Sequence, residues 1–147
     1  MEDVIVETFS SFFKKVGTKD EEGVYGMFAP NIAFEIPDFM DDVRNLIRNY
    51  SGEFVFYSLS CGVGDESEFD EGLVIRFIPT VADDLVTTLS HYYVSAYICD
   101  IDDKDQDNIG IWNLRIQKID TEGEEMIHYS SYKSWAYGSN YRGILLI

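Results

Sequence analysis

From Val4 to Val16 the apolar side chains fall at Val4, Ile5, Phe9, Phe12, Phe13 and Val16. Steps of three and four lay these side chains along one stripe of a helix, the stripe that a core would bury. Lys14 and Lys15 suit the negative end of its dipole, and Gly17 stands where a left-handed cap is needed. Thr18 and Glu21 have capping-box spacing ahead of "EGVYGMF", which predicts a second, shorter helix, weakened by Gly23 and Gly26 and ending before Pro30. "NIAFEI" alternates, with Ile32, Phe34 and Ile36 on one side and Asn31, Ala33 and Glu35 on the other, which predicts a half-buried strand. Pro37 closes that strand. Asp38 is placed to cap a third helix carrying Phe39, Val43, Leu46, Ile47 and Tyr50 on one side, and Ser51 and Gly52 stop it.

From Glu53 the chain changes character. β-Branched and aromatic residues dominate "EFVFYSLSCGV", "GLVIRFI", "HYYVSAYICDI", "IGIWNLRIQKI" and "EMIHYSSYKSWAY", which read as five strands. Between the second and third, "TVADDLVTTL" carries two signals. Thr80 and Asp83 are spaced to cap a helical turn bearing Val81, Leu85 and Leu89, whereas the threonines prefer a strand; the capping tips the reading towards a helix. Trp112, Leu114 and Ile116 alternate with Asn113, Arg115 and Gln117 before the turn "DTEGEE". The closing "YRGILLI" is apolar enough that it should be docked rather than exposed. Helices first and long antiparallel strands afterwards imply one α+β domain over residues 1–147, with the N-terminal helices packed on a curved, mainly antiparallel sheet.

The phrase "EGVYGMFAPNIAFEIPD" followed by a helix resembles the signature of nuclear-transport-factor-two-like domains. There, two helices lead through a phrase like "LFAPDAVFEDP" into a short strand and a third helix. The resemblance implies that the remaining strands build that superfamily's cone-shaped sheet. It also implies an internal cavity, in which ketosteroid-isomerase-like members place an aspartate base beside hydrogen-bond donors.

Charge narrows the functional classes. The 147 residues hold 27 acidic and 11 basic side chains, for a formal net charge of −16. Nucleic acid and anionic membrane surfaces are bound through Lys and Arg, so direct contact with either would work against this field, while a basic protein partner would work with it. Hydrophobic residues make up 46% of the chain and prolines number three, which points to a folded core rather than disorder. Cys61 and Cys99 are too few and too far apart for a disulfide framework or a paired-cysteine zinc site. "MEDVIVETFSSFFKK" carries two acids where a secretory signal would be positive, and no apolar run approaches the roughly 18 residues of a membrane span, so a cytoplasmic protein with reduced thiols is expected.

Acids gather in three connections. "GDESEFDEG" contributes Asp65, Glu66, Glu68, Asp70 and Glu71; "CDIDDKDQDN" contributes Asp100, Asp102, Asp103, Asp105 and Asp107; "DTEGEE" is the third. A calcium loop set on Asp103, Asp105 and Asp107 fails, because its glycine position falls on Asn108 and its bidentate glutamate position on Leu114. No metal and no cofactor is expected. Each acidic tip alone is an ordinary hydrated turn, but two tips sharing one edge of the sheet would offer a basic partner a docking surface.

No phosphate loop, nucleophile elbow or zinc-protease motif occurs. His91 and His128 could serve a cavity with Asp38 or a tyrosine, although a hydrogen-bonded histidine among strands has ordinary structural uses. Tyr92, Tyr93, Tyr97, Tyr129, Tyr132, Tyr137 and Trp135 give the later strands more aromatics than a core needs, so part of them, Tyr129, Tyr132 and Trp135 above all, are expected to face a partner, with Arg115 and Lys133 beside them. The expected function is a non-catalytic inhibitor, an immunity protein that neutralises a basic, nuclease-type bacterial toxin, with a phage-encoded antagonist of a nucleic-acid enzyme as a close variant. The competing expectation is a small-molecule-binding or isomerase-type domain with an apolar pocket lined by Phe12, Phe28, Phe34, Trp112 and His128. A homodimer formed through the outer sheet face is a third.

Overall fold

Fourteen consecutive residues, Val74–Thr87, form the strand that organises the sheet. A computed structural model describes residues 2–62, 65–119 and 142–146 of the chain. Helices α1 (Glu2–Gly17), α2 (Glu21–Met27), α3 (Pro30–Glu35) and α4 (Phe39–Asn49) come first. Strands β1 (Phe54–Phe56), β2 (Leu59–Cys61), β3 (Asp65–Glu68), β4 (Val74–Thr87), β5 (His91–Asp102), β6 (Gly110–Ile119) and β7 (Gly143–Leu146) follow. Along one edge of β4 the three short strands pair in turn, β1 near Thr87, β2 from Thr80 to Ala82 and β3 from Val74 to Phe77. The other edge pairs with β5, then β6, and all these pairings are antiparallel; β7 joins β6 in parallel. The fold is α+β, with the four helices packed on a mostly antiparallel mixed sheet.

The helical stripe read from α1 is the core. Ile5, Phe9, Phe12, Phe13 and Val16 are buried against Val43 and Leu46 of α4 and against Ile78, Leu85, Val94, Leu114 and Ile116 of the sheet. Each large side chain so buried contributes about 1.5–3 kcal/mol. The opposite face of the central strands is buried too, at Tyr93, Ser95, Asn113, Arg115 and Gln117, within a single copy of the chain. Burial holds the Arg115 guanidinium below the usual arginine range. At the C-terminal end, Ile144 and Leu146 of β7 pack against the core, as the apolar "YRGILLI" requires.

Several local readings are corrected. "NIAFEI" is helical: Pro30 opens α3 with its fixed φ, and Ile32 and Ala33 turn inward while Phe34 is 92% exposed. The helix expected third is therefore the fourth. Residues 80–87 continue β4 instead of forming a helix, because β1 and β2 on one side and β5 on the other satisfy the backbone that a helical turn would withdraw. "EFVFYSLSCGV" is broken into β1 and β2. The left-handed cap of α1 is Lys19 rather than Gly17: its φ is 59°, with Lys19 N donating to Val16 O and Asp20 N to Lys15 O, the paired bonds of a Schellman ending. Asp20, not Thr18, caps α2, its Oδ1 accepting from Gly23 N at 3.0 Å. Asp38 occupies the N-cap position of α4 in a left-handed conformation, without a side-chain capping bond. The strand expected over 125–137 and the turn "DTEGEE" lie outside the described residues.

Candidate functional site

Two of the three acidic segments meet at one end of the sheet. β3 and the 3-10 turn Asp70–Gly72 lead into β4, whose first residues pair with the last residues of β5, Ile75 opposite Asp102. Val74 N donates to Asp103 Oδ2 at 2.7 Å, and Asp103 N donates back to Val74 O at 2.9 Å. Lys104 places its ammonium 3.9 Å from the centre of the Phe69 ring, tying the second connection to the first. Arg76 of β4 reaches both: its guanidinium pairs with Asp100 through two nitrogens, and Nη1 donates to Glu66 Oε1 at 3.1 Å. The bond to Asp100, then that to Glu66, holds the Arg76 pKa above the usual range.

Buried Asp102 shapes the second connection. Its side chain accepts from Lys104 N at 3.0 Å, Asp105 N at 2.9 Å and Asn108 Nδ2 at 2.9 Å. Burial opposes ionisation, but these donors together outweigh it and hold the Asp102 carboxyl below the usual carboxylate range. The 3-10 turn Gln106–Asn108 follows, and Trp112 Nε1 donates to Asn108 O at 2.8 Å. From α3, Asn31 Nδ2 donates to Asp105 Oδ2 at 3.1 Å and Asn108 Oδ1 at 2.5 Å. Gly110 permits that approach. Its φ is +137°, and a Cβ there would stand 2.6 Å from the Ala29 nitrogen, where Ala29 N bonds Ile111 O and Phe28 bridges Ile111.

The ten described acids expected at a partner surface therefore divide. Glu66, Glu68, Glu71, Asp103, Asp105 and Asp107 are exposed. Asp100 and Asp102 do not project from a tip; they are consumed internally by Arg76 and by the turn. Asp65 lies on β3, so the first acidic segment is partly strand rather than loop, and Asp70 opens its 3-10 turn. Tyr129, Tyr132, Trp135, His128, Lys133 and Tyr137 lie outside the described residues. Sequence reading missed Phe77, Tyr97 and Trp112 as a group: Phe77 stacks on Tyr97 at 5.1 Å and meets Trp112 edge-on at 4.9 Å, all half-buried. Their clustering depends on β4–β5–β6 register, which no local pattern encodes.

The pocket expected from Phe12, Phe28, Phe34 and Trp112 is not assembled. Phe12 and Phe28 pack edge-on at 5.9 Å in the solid core, Phe34 faces solvent, and Trp112 lies under Arg142. Instead, a cavity of about 340 Å³ opens beside α4, lined by Asn45, Leu46, Asn49, Tyr50, Tyr92, Ile116, Lys118 and Leu146. His91 Nε2 lies 2.9 Å from Asp84 Oδ1. Burial, with Asp102 and Asp100 adding to it, pushes the Cys99 thiol up to about 12, which removes it as a nucleophile at neutral pH; neither cysteine is in a disulfide. Among the described residues, no group of three or more His, Cys, Asp or Glu side chains is placed to hold a metal ion, and no helix is long and apolar enough to cross a membrane.

A family model described as a domain of unknown function (DUF5104) matches residues 11–127, and the chain belongs to that family. No curated protein matches it.

Proposed function

We propose that this DUF5104 chain is a non-catalytic inhibitor that docks a basic protein on the acidic end of its sheet, as an immunity protein does with a nuclease-type toxin. The observation that carries the reading is the adjacency of the two acidic segments. Six exposed carboxylates, two on β3, one in the turn after it and three in the β5–β6 connection, stand on segments joined by the Val74–Asp103 bonds and the Arg76 bridge. Such a surface steers a positively charged partner and raises its encounter rate, while repelling nucleic acid. The fixed backbone of the turn around Asp102 supports it further, since preorganised carboxylates lose little freedom on binding.

We infer the likeness of "EGVYGMFAPNIAFEIPD" to nuclear-transport-factor-two-like domains as a reading of the fold, separate from the inhibitor function. It is supported by the order of helices before sheet, whereas the short strand it implies over residues 31–36 is the helix α3.

The test is co-expression with the product of the adjoining gene. Protection of the host from that product, and its loss when Glu66, Glu68, Glu71, Asp103, Asp105 and Asp107 are all made Asn or Gln, is the expected outcome. Protection that survives all six changes would remove the acidic end from the mechanism.

A further inference from the structure

Ile78, Ala96, Ile98 and Ile111 turn into the core, so the residues beside them on β4, β5 and β6, Phe77, Tyr97 and Trp112, stand on the face of the sheet away from the helices. There they form one aromatic row across three strands. Phe77 stacks on Tyr97 and meets Trp112 edge-on, and each of the three keeps part of its surface exposed. None of them belongs to the core built with the helices.

The row lies between the two acidic segments. Phe77 is opposite Asp65 in the pairing of β3 with β4, one residue from the Glu66–Arg76 pair. On the other side, Trp112 Nε1 donates to Asn108 O, which ends the turn that follows Asp103 and Asp105. Partly exposed rings at the centre of a surface, with carboxylates around them, are the arrangement of an interface anchor: the ring faces attract a cation and the acids neutralise it. The chain's own cations already use this chemistry at the same end of the sheet. Lys104 stands 3.9 Å from the centre of the Phe69 ring, and Arg142 lies 5.2 Å from that of Trp112 while its Nη1 donates to Glu35 Oε2 at 2.6 Å. Arg142 thus combines a ring and a carboxylate on one guanidinium.

We propose that the Phe77–Tyr97–Trp112 row receives an arginine side chain of the basic protein partner, its guanidinium stacked on the rings between the carboxylates of β3 and those of the β5–β6 connection. This rests on the proposed docking of a basic protein at this end of the sheet and names the side chain that anchors it. Arginine fits better than lysine, because a planar, weakly hydrated guanidinium lies flat on a ring while donating from its edge, whereas an ammonium is compact and strongly hydrated.

The experiment is calorimetric titration of the whole chain with deca-arginine and with deca-lysine at low ionic strength. Deca-arginine is expected to bind at least about threefold more tightly, the gain of a cation stacked at a partly exposed ring. Phe77→Leu, which leaves the bond from Trp112 to Asn108 in place, is expected to erase most of that preference, and Trp112→Leu to reduce it. Neutralising Glu66, Glu68, Glu71, Asp103, Asp105 and Asp107 is expected to weaken both peptides. Equal affinities in the parent chain, or a preference undiminished in both Leu variants, would overturn the aromatic anchor and leave the acidic surface standing, whereas no binding of either peptide would remove both. A dimer of the chain that dissociates in Phe77→Leu would place a second copy on the row and would also overturn the proposal.

Discussion

At the residue scale, Asp102 turns a run of like charges into a defined loop. A carboxylate among aspartates ought to be repelled into solvent, yet three donors draw it inward. Its pKa is depressed by folding, so its contribution is present above the ordinary aspartate value of 3.8 and is lost as pH falls through the lower folded value. Asp102→Asn should therefore cost about 1–3 kcal/mol at neutral pH, and urea denaturation repeated in acid should show the gap between variant and parent closing as pH drops. Arg76→Ala strands the buried Asp100 carboxylate and should cost about 2–4 kcal/mol, the lower side of breaking a buried pair because Arg76 keeps some access to solvent. Tyr50→Phe should act in the opposite sense and stabilise the chain by about 1 kcal/mol, read as a higher midpoint in the same titration. None of these roles was legible from composition. Asp100, Asp102 and Asp103 are neighbours in one acidic run, and only the pairing of β4 with β5 decides which is inside.

At the element scale, long periodic segments were legible and short ones were not. The stripes of α1 and α4 extend over three or more turns, enough to separate a helical period from alternation. "NIAFEI" is only six residues, and its apolar positions satisfy both periods; Pro30 at the first helical position was the signal that decided it. The two readings differ at Phe34. A strand places it beside Ile32, whereas the helix turns it out. Ile32→Ala should cost about 2–4 kcal/mol and Phe34→Ser should stay within about 0.5 kcal/mol when both are compared by chemical denaturation; equal losses would restore the strand. Residues 80–87 misled for a related reason. The register of β4 against β5 shifts between Ala82 and Leu85, so alternation is interrupted there and the spacing imitates a helical turn. The caps at Asp20 and Lys19 were each two residues from the positions expected, because capping residues abound in "GTKDEE" and the choice rests on how α1 and α2 pack.

At the scale of the whole molecule, the sign of the charge was legible and its placement was not. The −16 total fixes the sign of the molecule's overall field, but a docking surface requires the acids together. β3 and the β5–β6 connection are separated by the entire length of β4 and β5 in sequence, and the antiparallel return of those strands brings them to one end. The candidate surface is therefore a product of topology. Its most direct test is the association rate of the purified chain with the proposed basic partner, followed as ionic strength rises. The expected result is an on-rate that falls steeply with salt while the off-rate changes little, and that drops about tenfold or more at low salt when Glu66, Glu68, Glu71, Asp103, Asp105 and Asp107 are neutralised. An on-rate indifferent to salt and to those six changes, or no complex at physiological salt, would contradict it.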